Sequence, residues 1–298
     1  MKATKIAGGK AATGKIVAGI GGAFLLAVCA ASVASSEPQA APAPSLTPPA
    51  ATSDADARKA AMASVMRNGS YLPRGSAPNS LLFNPPPPAA GSAAMARDEE
   101  GARAAIAMQG TPRWEQAKID ADLFTPKVTD TFSCAAGFKI GADTTPKLQA
   151  LLLKSMMDFG LASYPTKNRY QRGRPFMANG KPTCTPDQEA ILRKDGSYPS
   201  GHSAIGFGAG LILASVVPER AAELVARGRA FGDSRRICNV HWLSDIEEGR
   251  VVAAAVFARL NAEPAFVADL AAARAEIAEK RTSLPVPDCA RENAALAM

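Results

Sequence analysis

Apolar positions along this chain recur at helical intervals, and strand-like alternation is hard to find. After Thr145-Pro146, a polar cap with proline at the first helical position, Leu148, Leu151, Leu152, Met156 and Phe159 follow three or four apart until Gly160. That spacing predicts a helix whose stripe is core. Ser92 predicts a helix to about Met108, and Thr111-Pro112 repeats the cap and proline, with Trp114 behind it assigned to packing. Ser203 to Val217 is apolar nearly all round and predicts a buried central helix. Its Gly206, Gly208 and Gly210 are costly in a helix unless other backbones approach closely there. Pro218 is expected to open a helix ending near Gly232, followed by one from about Asn239 to Leu260 and a last from Pro264 to about Lys280. The expected fold is all-α: a helical bundle with a buried central helix.

Before these elements the pattern changes. A lysine-bearing start, an apolar run from Ile16 to Ala31, and the small residues Ser32 and Ala34 predict a signal peptide over 1–34, cleaved after Ala34. A retained membrane anchor is the alternative, for which the run is short and glycine-rich. Residues 35–70 read as an Ala/Pro-rich linker with one weak helix at Asp54 to Met66, leaving 71–298 for the catalytic domain. Pro85 to Pro88 cannot be helical and predict an extended strap. With the leader cleaved, the protein is expected to be periplasmic or secreted, without stable membrane insertion; a homodimer is compatible with this.

Composition supports the helical reading, since the 47% hydrophobic fraction is alanine-rich and only 6% of residues are aromatic. The formal charge is +7, but Lys2, Lys5, Lys10 and Lys15 belong to the leader, and their loss leaves +3. That charge, without a basic stripe interleaved with aromatics, excludes a nucleic-acid polymer as partner. Removing Cys29 with the leader leaves Cys134, Cys184, Cys238 and Cys289, an even number that in an exported protein points to disulfides. Three pairings are open. Cys184 with Cys238 is expected because each lies beside a site block, and the tail to Met298 would be tethered by Cys289; four free thiols are the alternative.

The candidate chemistry gathers around the two histidines of the chain. His241 and Asp245 are four apart at the start of a predicted helix, a spacing that puts both on one face, so the carboxylate can accept the Nδ1 proton and leave the Nε2 lone pair free as a nucleophile. His202 follows Pro199-Ser200-Gly201 and should sit on the first turn of the buried helix, where free N–H groups and the dipole make an anion seat. Gly201 lets a ligand approach that backbone. A histidine there can give a proton to a leaving oxygen and later take one from water. Lys167, Arg174 and Arg235 supply charge for a tetrahedral oxyanion, and Pro175 biases Arg174 toward an extended loop.

Lys167, Arg174-Pro175, then Pro199-Ser200-Gly201-His202, then Ser234-Arg235, His241 and Asp245 match the three-part signature of the type 2 phosphatidic-acid phosphatases and vanadium haloperoxidases. Within that superfamily the chain resembles the class A bacterial nonspecific acid phosphatases, on Asp195 to His202, Arg235 to Asp245 and Leu82 to Ser92. The likeness covers roughly Tyr71 to Leu260. It departs at Ser203, where the class usually has threonine, and at Pro165, Arg236 and Asn239.

The resemblance implies an all-α exported domain acting on phosphate monoesters without cofactor or metal. His241 would form a phosphohistidine, His202 would act as acid and then base, and Asp245 would orient His241. Lys167, Arg174, Ser200, Gly201 and Arg235 would hold the phosphate, and an alcohol could replace water as acceptor. An acidic optimum is expected, since His202 must start protonated and His241 must not. The rival readings are a vanadium-dependent haloperoxidase, usually a larger protein with the same site, and a non-catalytic phosphate-binding relative, which would need the cations but not both histidines.

Overall fold

The computed structural model describes residues 69–125 and 127–296. The expected signal peptide, the linker up to 68 and the weak helix at Asp54 to Met66 lie outside the described residues. Among those described there is no strand.

Helix starts follow the caps written in the chain. Ser92 Oγ accepts from the Met95 N–H at 3.1 Å and opens α1 (Ala93–Ile106). Thr111 does the same for Trp114 and opens α2 (Pro112–Asp120). α3 (Pro146–Leu161) buries the predicted stripe of Leu148, Leu151, Leu152, Met156 and Phe159. Two short helices follow, α4 (Tyr164–Tyr170) and α5 (Pro175–Asn179). Ser200 caps α6 (Gly201–Val216), accepting from Ser203 N–H at 3.2 Å. The bundle is completed by α7 (Ala221–Ile237), α8 (Leu243–Leu260), α9 (Pro264–Lys280) and α10 (Ala290–Leu296).

Two predicted boundaries are corrected. Gly232 does not end a helix: Pro218–Arg220 is a single 3-10 turn, and α7 then runs through Gly232 to Ile237. A Cβ on Gly232 would stand 2.6 Å from Ser203 Oγ, so this glycine serves the α6–α7 contact, not termination. Nor does α8 begin at Asn239. That residue adopts φ 60°, and the chain is non-helical until Leu243.

Apolar on nearly every side, α6 is the central element, packed by α3, α7 and α8, with α9 closing over α3. Its glycines admit the neighbours: a Cβ on Gly210 would lie 2.8 Å from the Leu224 carbonyl, and one on Gly228 2.8 Å from that of Gly206. A smaller apolar cluster of Trp114, Phe176, Ile237 and Val240 includes Cys184 and Cys238. Those two cysteines are paired at disulfide distance, as are Cys134 and Cys289, the latter just ahead of α10. The proline strap is pinned beside α8: Asn84 Nδ2 donates to Glu248 Oε2 at 2.7 Å, and Tyr198 Oη to the Pro85 carbonyl at 2.7 Å.

Among the described residues no single helix is long and apolar enough to cross a membrane, and the pair α8 and α9, which passes by length and composition only, is bent by 95°.

Candidate active site

Three backbone hydrogen bonds and one from an indole draw the three sequence blocks together. Phe176 N–H donates to the Asn239 carbonyl at 3.1 Å, and Trp242 Nε1 to the Gly173 carbonyl at 2.8 Å. Ser197 N–H donates to Arg172 O at 2.9 Å and Ser200 N–H to Asp245 O at 2.8 Å. Asn239 can supply its share because its left-handed backbone ends α7, while its Nδ2 reaches the Lys181 carbonyl at 3.0 Å and Asn179 Oδ1 at 3.1 Å. Lys167, Arg174, Ser200, Gly201, His202, Arg235, His241 and Asp245 thereby meet in one place, although only Lys167, Gly201, His202, Arg235 and Asp245 stand on helices.

The His241–Asp245 pair forms, but not as two residues on one helical face. His241 precedes α8; Asp245, on its first turn, folds back so that Oδ2 accepts from Trp242 N–H at 2.8 Å and lies 3.2 Å from His241 Nδ1. An acidic residue capping its own helix thus also faces the imidazole. Nδ1–H is the donor in this arrangement, which leaves Nε2 as an acceptor, and Arg174 Nη1 stands 3.1 Å from it. Burial, then Arg174, Lys167 and Arg235, hold His241 well below the usual imidazole range. Burial pushes Asp245 upward, opposed by Arg172 and the Trp242 N–H.

The three cations are buried to an unusual degree for such residues, at 3% exposure for Lys167, 1% for Arg174 and 0% for Arg235. Lys167 Nζ donates to the Gly196 carbonyl and lies 3.5 Å from Asp195 Oδ2. Arg174 is extended, as Pro175 requires, and is held through Nε to Leu192 O, Nη1 to Val240 O and Nη2 to Asp195 Oδ2, all at 2.9 to 3.0 Å. Arg235, on the last turn of α7, differs: none of its three guanidinium nitrogens has a protein hydrogen-bond partner. Burial and then Arg174 bring Arg235 down to about 9, and burial and then Arg174 bring Lys167 down to about 8. Cations that depress one another in a desolvated space form a site an oxyanion would relieve.

His202 occupies the first turn of α6, where the N–H groups of Gly201 and His202 have no carbonyl behind them in the helix. The residue is half-buried, and Nε2 lies 3.3 Å from the Ala121 carbonyl. Desolvation, then Arg235 and His241, pull it well below its ordinary range. A Cβ on Gly201 would meet Ser163 Oγ at an unstrained 3.4 Å, so protein packing does not demand glycine there. Among the described residues no group of three or more histidine, cysteine or carboxylate side chains is placed to hold a metal ion.

Sequence reasoning missed three residues of this neighbourhood: Asp195, shared by Lys167 and Arg174, and the pair Arg172 and Asp98. Arg172 carried a faint signal, as one of four cations in the stretch from Lys167 to Arg174. Asp98, on α1, carried none.

A bundle around an apolar helix, with two histidines and three buried cations at that helix's N-terminus, is an oxyanion-handling architecture, and residues 149–262 match the PAP2 superfamily. Over 212 residues, 70% of this chain and 84% of the relative, it is 42% identical to a non-specific acid phosphatase of Salmonella typhimurium. It is 39% identical over 210 residues to that of Providencia stuartii, covering 70% of this chain and 85% of the relative. With an acid phosphatase of Zymomonas mobilis the identity is 37% over 212 residues, 70% and 79% of the two chains. The chain belongs to the non-specific acid phosphatases of the PAP2 superfamily.

Proposed function

We propose that this protein hydrolyses small phosphate monoesters through a phosphohistidine on His241. The observation that carries this reading is Arg235, a buried guanidinium with no protein partner, beside two imidazoles held well below their ordinary range. Phosphate oxygens would take its donors together with those of Arg174 and Lys167, the Ser200 hydroxyl and the N–H groups after Ser200. The Nε2 lone pair of His241 forms a bond to phosphorus as the bond to the ester oxygen breaks, and His202 gives its proton to that oxygen. Water then attacks phosphorus, His202 takes a water proton, and the P–N bond breaks to release phosphate and the starting imidazole. An alcohol in place of water would give a new ester by the same step.

Acid operation follows from the same charges. The phosphate dianion neutralises Arg235, whose charge lowers His202, so bound substrate raises that imidazole toward protonation while Asp245 keeps Nδ1 of His241 occupied. Export is part of the proposal, with 1–34 as a signal peptide, 35–70 as linker and 71–298 as catalytic domain. Two paired cysteine couples fit an oxidising compartment.

The test is turnover of p-nitrophenyl phosphate by the purified mature protein between pH 5 and 7 with excess EDTA, beside His241→Ala and a vanadate control. Activity that survives EDTA, falls with vanadate and is lost in the variant supports the reading. Undiminished activity of His241→Ala overturns the phosphohistidine, and a wild type that oxidises bromide with peroxide and vanadate but leaves the ester intact overturns the hydrolase.

A further inference from the structure

Behind the His241–Asp245 pair lies an ion-pair relay that the reaction as written does not use. Arg172 Nη1 donates to Asp245 Oδ1 at 2.7 Å and to Ser244 Oγ at 2.8 Å, while its Nη2 donates to Asp98 Oδ2 at 2.7 Å. Asp98 in turn accepts from the Ser244 N–H at 2.8 Å and from Ser244 Oγ at 2.6 Å, so it grips the first turn of α8 as well as Arg172. The guanidinium lies near two rings, 5.3 Å from the Trp242 ring centre and 5.9 Å from that of Tyr198. Asp98 and Asp245 are 1% and 0% exposed. Asp245 Oδ2 is already shared by Trp242 N–H and His241 Nδ1, which leaves Oδ1 to Arg172.

We propose that Arg172 and Asp98 are positioning residues for the phosphatase reaction: Arg172 holds Asp245 turned toward His241, and Asp98 holds Arg172 to the start of α8. The inference rests on reading His241 as the nucleophile. Arg172 and Arg174, two residues apart on one segment, would then secure opposite ends of the same pair, Arg172 at the carboxylate and Arg174 at Nε2. Several groups face Asp245 from the elements around it. Lys167 on α4, Arg174, Ser197 and Tyr198 approach together with Arg172 and His241, Asp98 stands behind Arg172, and Glu248 on α8 stands beyond Tyr198. Arg172 is the cation hydrogen-bonded to the carboxylate itself. Without it a buried carboxylate keeps its charge less well, and at mild acidity takes up the proton that weakens its hold on Nδ1–H.

The test compares pH profiles of kcat/KM for the full mature protein, Arg172→Gln, Arg172→Lys, Asp98→Asn and His241→Ala. Arg172→Gln should lose about 10- to 100-fold in kcat, since small misplacements of a reacting group cost that much, and its acid limb should move to higher pH. Arg172→Lys should recover part of both effects. Asp98→Asn removes an acid behind Arg172 and leaves more of that charge to Asp245, so its acid limb should move to lower pH while its melting temperature falls. A purely structural role would move melting temperatures without displacing the limb in opposite senses. A folded Arg172→Gln with kcat within twofold of wild type and an unmoved limb overturns the proposal. If Arg172→Gln fails to fold, an acid limb in Arg172→Lys at the wild-type position overturns it, and a raised one supports it. Activity in His241→Ala would instead remove the reading on which this one stands.

Discussion

Nε2 of His241 stands 3.1 Å from Nη1 of Arg174, so the nitrogen proposed to attack phosphorus faces a guanidinium proposed to hold a phosphate oxygen. When phosphate enters, that donor must pass from the lone pair to an oxygen. Bonds to Leu192, Val240 and Asp195 keep the fork in plane during the exchange. Arg174→Lys keeps a charge but loses the fork, and kcat/KM is expected to fall about 10²- to 10³-fold with the fold intact. Steady-state kinetics beside circular dichroism check this.

Arg235 offers the complementary case. Its guanidinium has no protein partner to lose, so Arg235→Met should leave the free protein as stable or more stable while weakening inhibition by inorganic phosphate about 100-fold or more. Urea unfolding with and without phosphate separates the two effects, and a variant destabilised in the absence of phosphate would contradict the assignment.

Both histidines are held well below their ordinary range, which sets the sign of a pH effect on stability. The unfolded chain binds their protons below about pH 6.5 while the folded chain does not, so stability present above that pH is lost as pH falls toward the lowered folded values. The expected slope is at most about 1.4 kcal/mol per pH unit for each histidine. Phosphate should reduce the loss by raising His202. Urea midpoints at pH 7.5 and 5.5, with and without phosphate, measure it.

Gly249 on α8 passes directly behind the anion seat. A Cβ there would stand 2.5 Å from the Ser200 carbonyl and 2.8 Å from Ser203 Cβ. Gly249→Ala should cost about 1 to 3 kcal/mol from overpacking and lower kcat/KM about 10- to 100-fold by displacing the start of α6. Kinetics and a melting curve on one preparation show whether the two losses occur together.

Cys184 and Cys238 tie the segment after α5 to the end of α7, next to Asn239. Replacing both by serine should cost about 4 kcal/mol in the chain-entropy model and raise KM as the 174–182 segment loosens. Loss of the Cys134–Cys289 pair should lower stability with little change in KM, because it acts on α10 and its Glu292–Arg227 contact at 3.2 Å. Urea midpoints and KM for the two double variants test the contrast.

What the sequence by itself determined was local. Caps at Ser92 and Thr111, the stripe from Leu148 to Phe159 and the apolar run of α6 are set by neighbours within a few residues, and the helices appeared where periodicity put them. The eight candidate residues could also be named from their types and order, and the structure brings them together. Tertiary structure decided the rest. Gly232 reads locally as a stop but is a contact with Ser203, and Asn239 reads as helix but takes φ 60° with its side chain held by the 179–181 segment. Asp98 and Arg172 meet across 74 positions only because α1 packs against α8. That Arg235 stays unpartnered while Arg172 gains two carboxylates depends on which backbones approach closely enough to place a side chain, and no local pattern contains that distance.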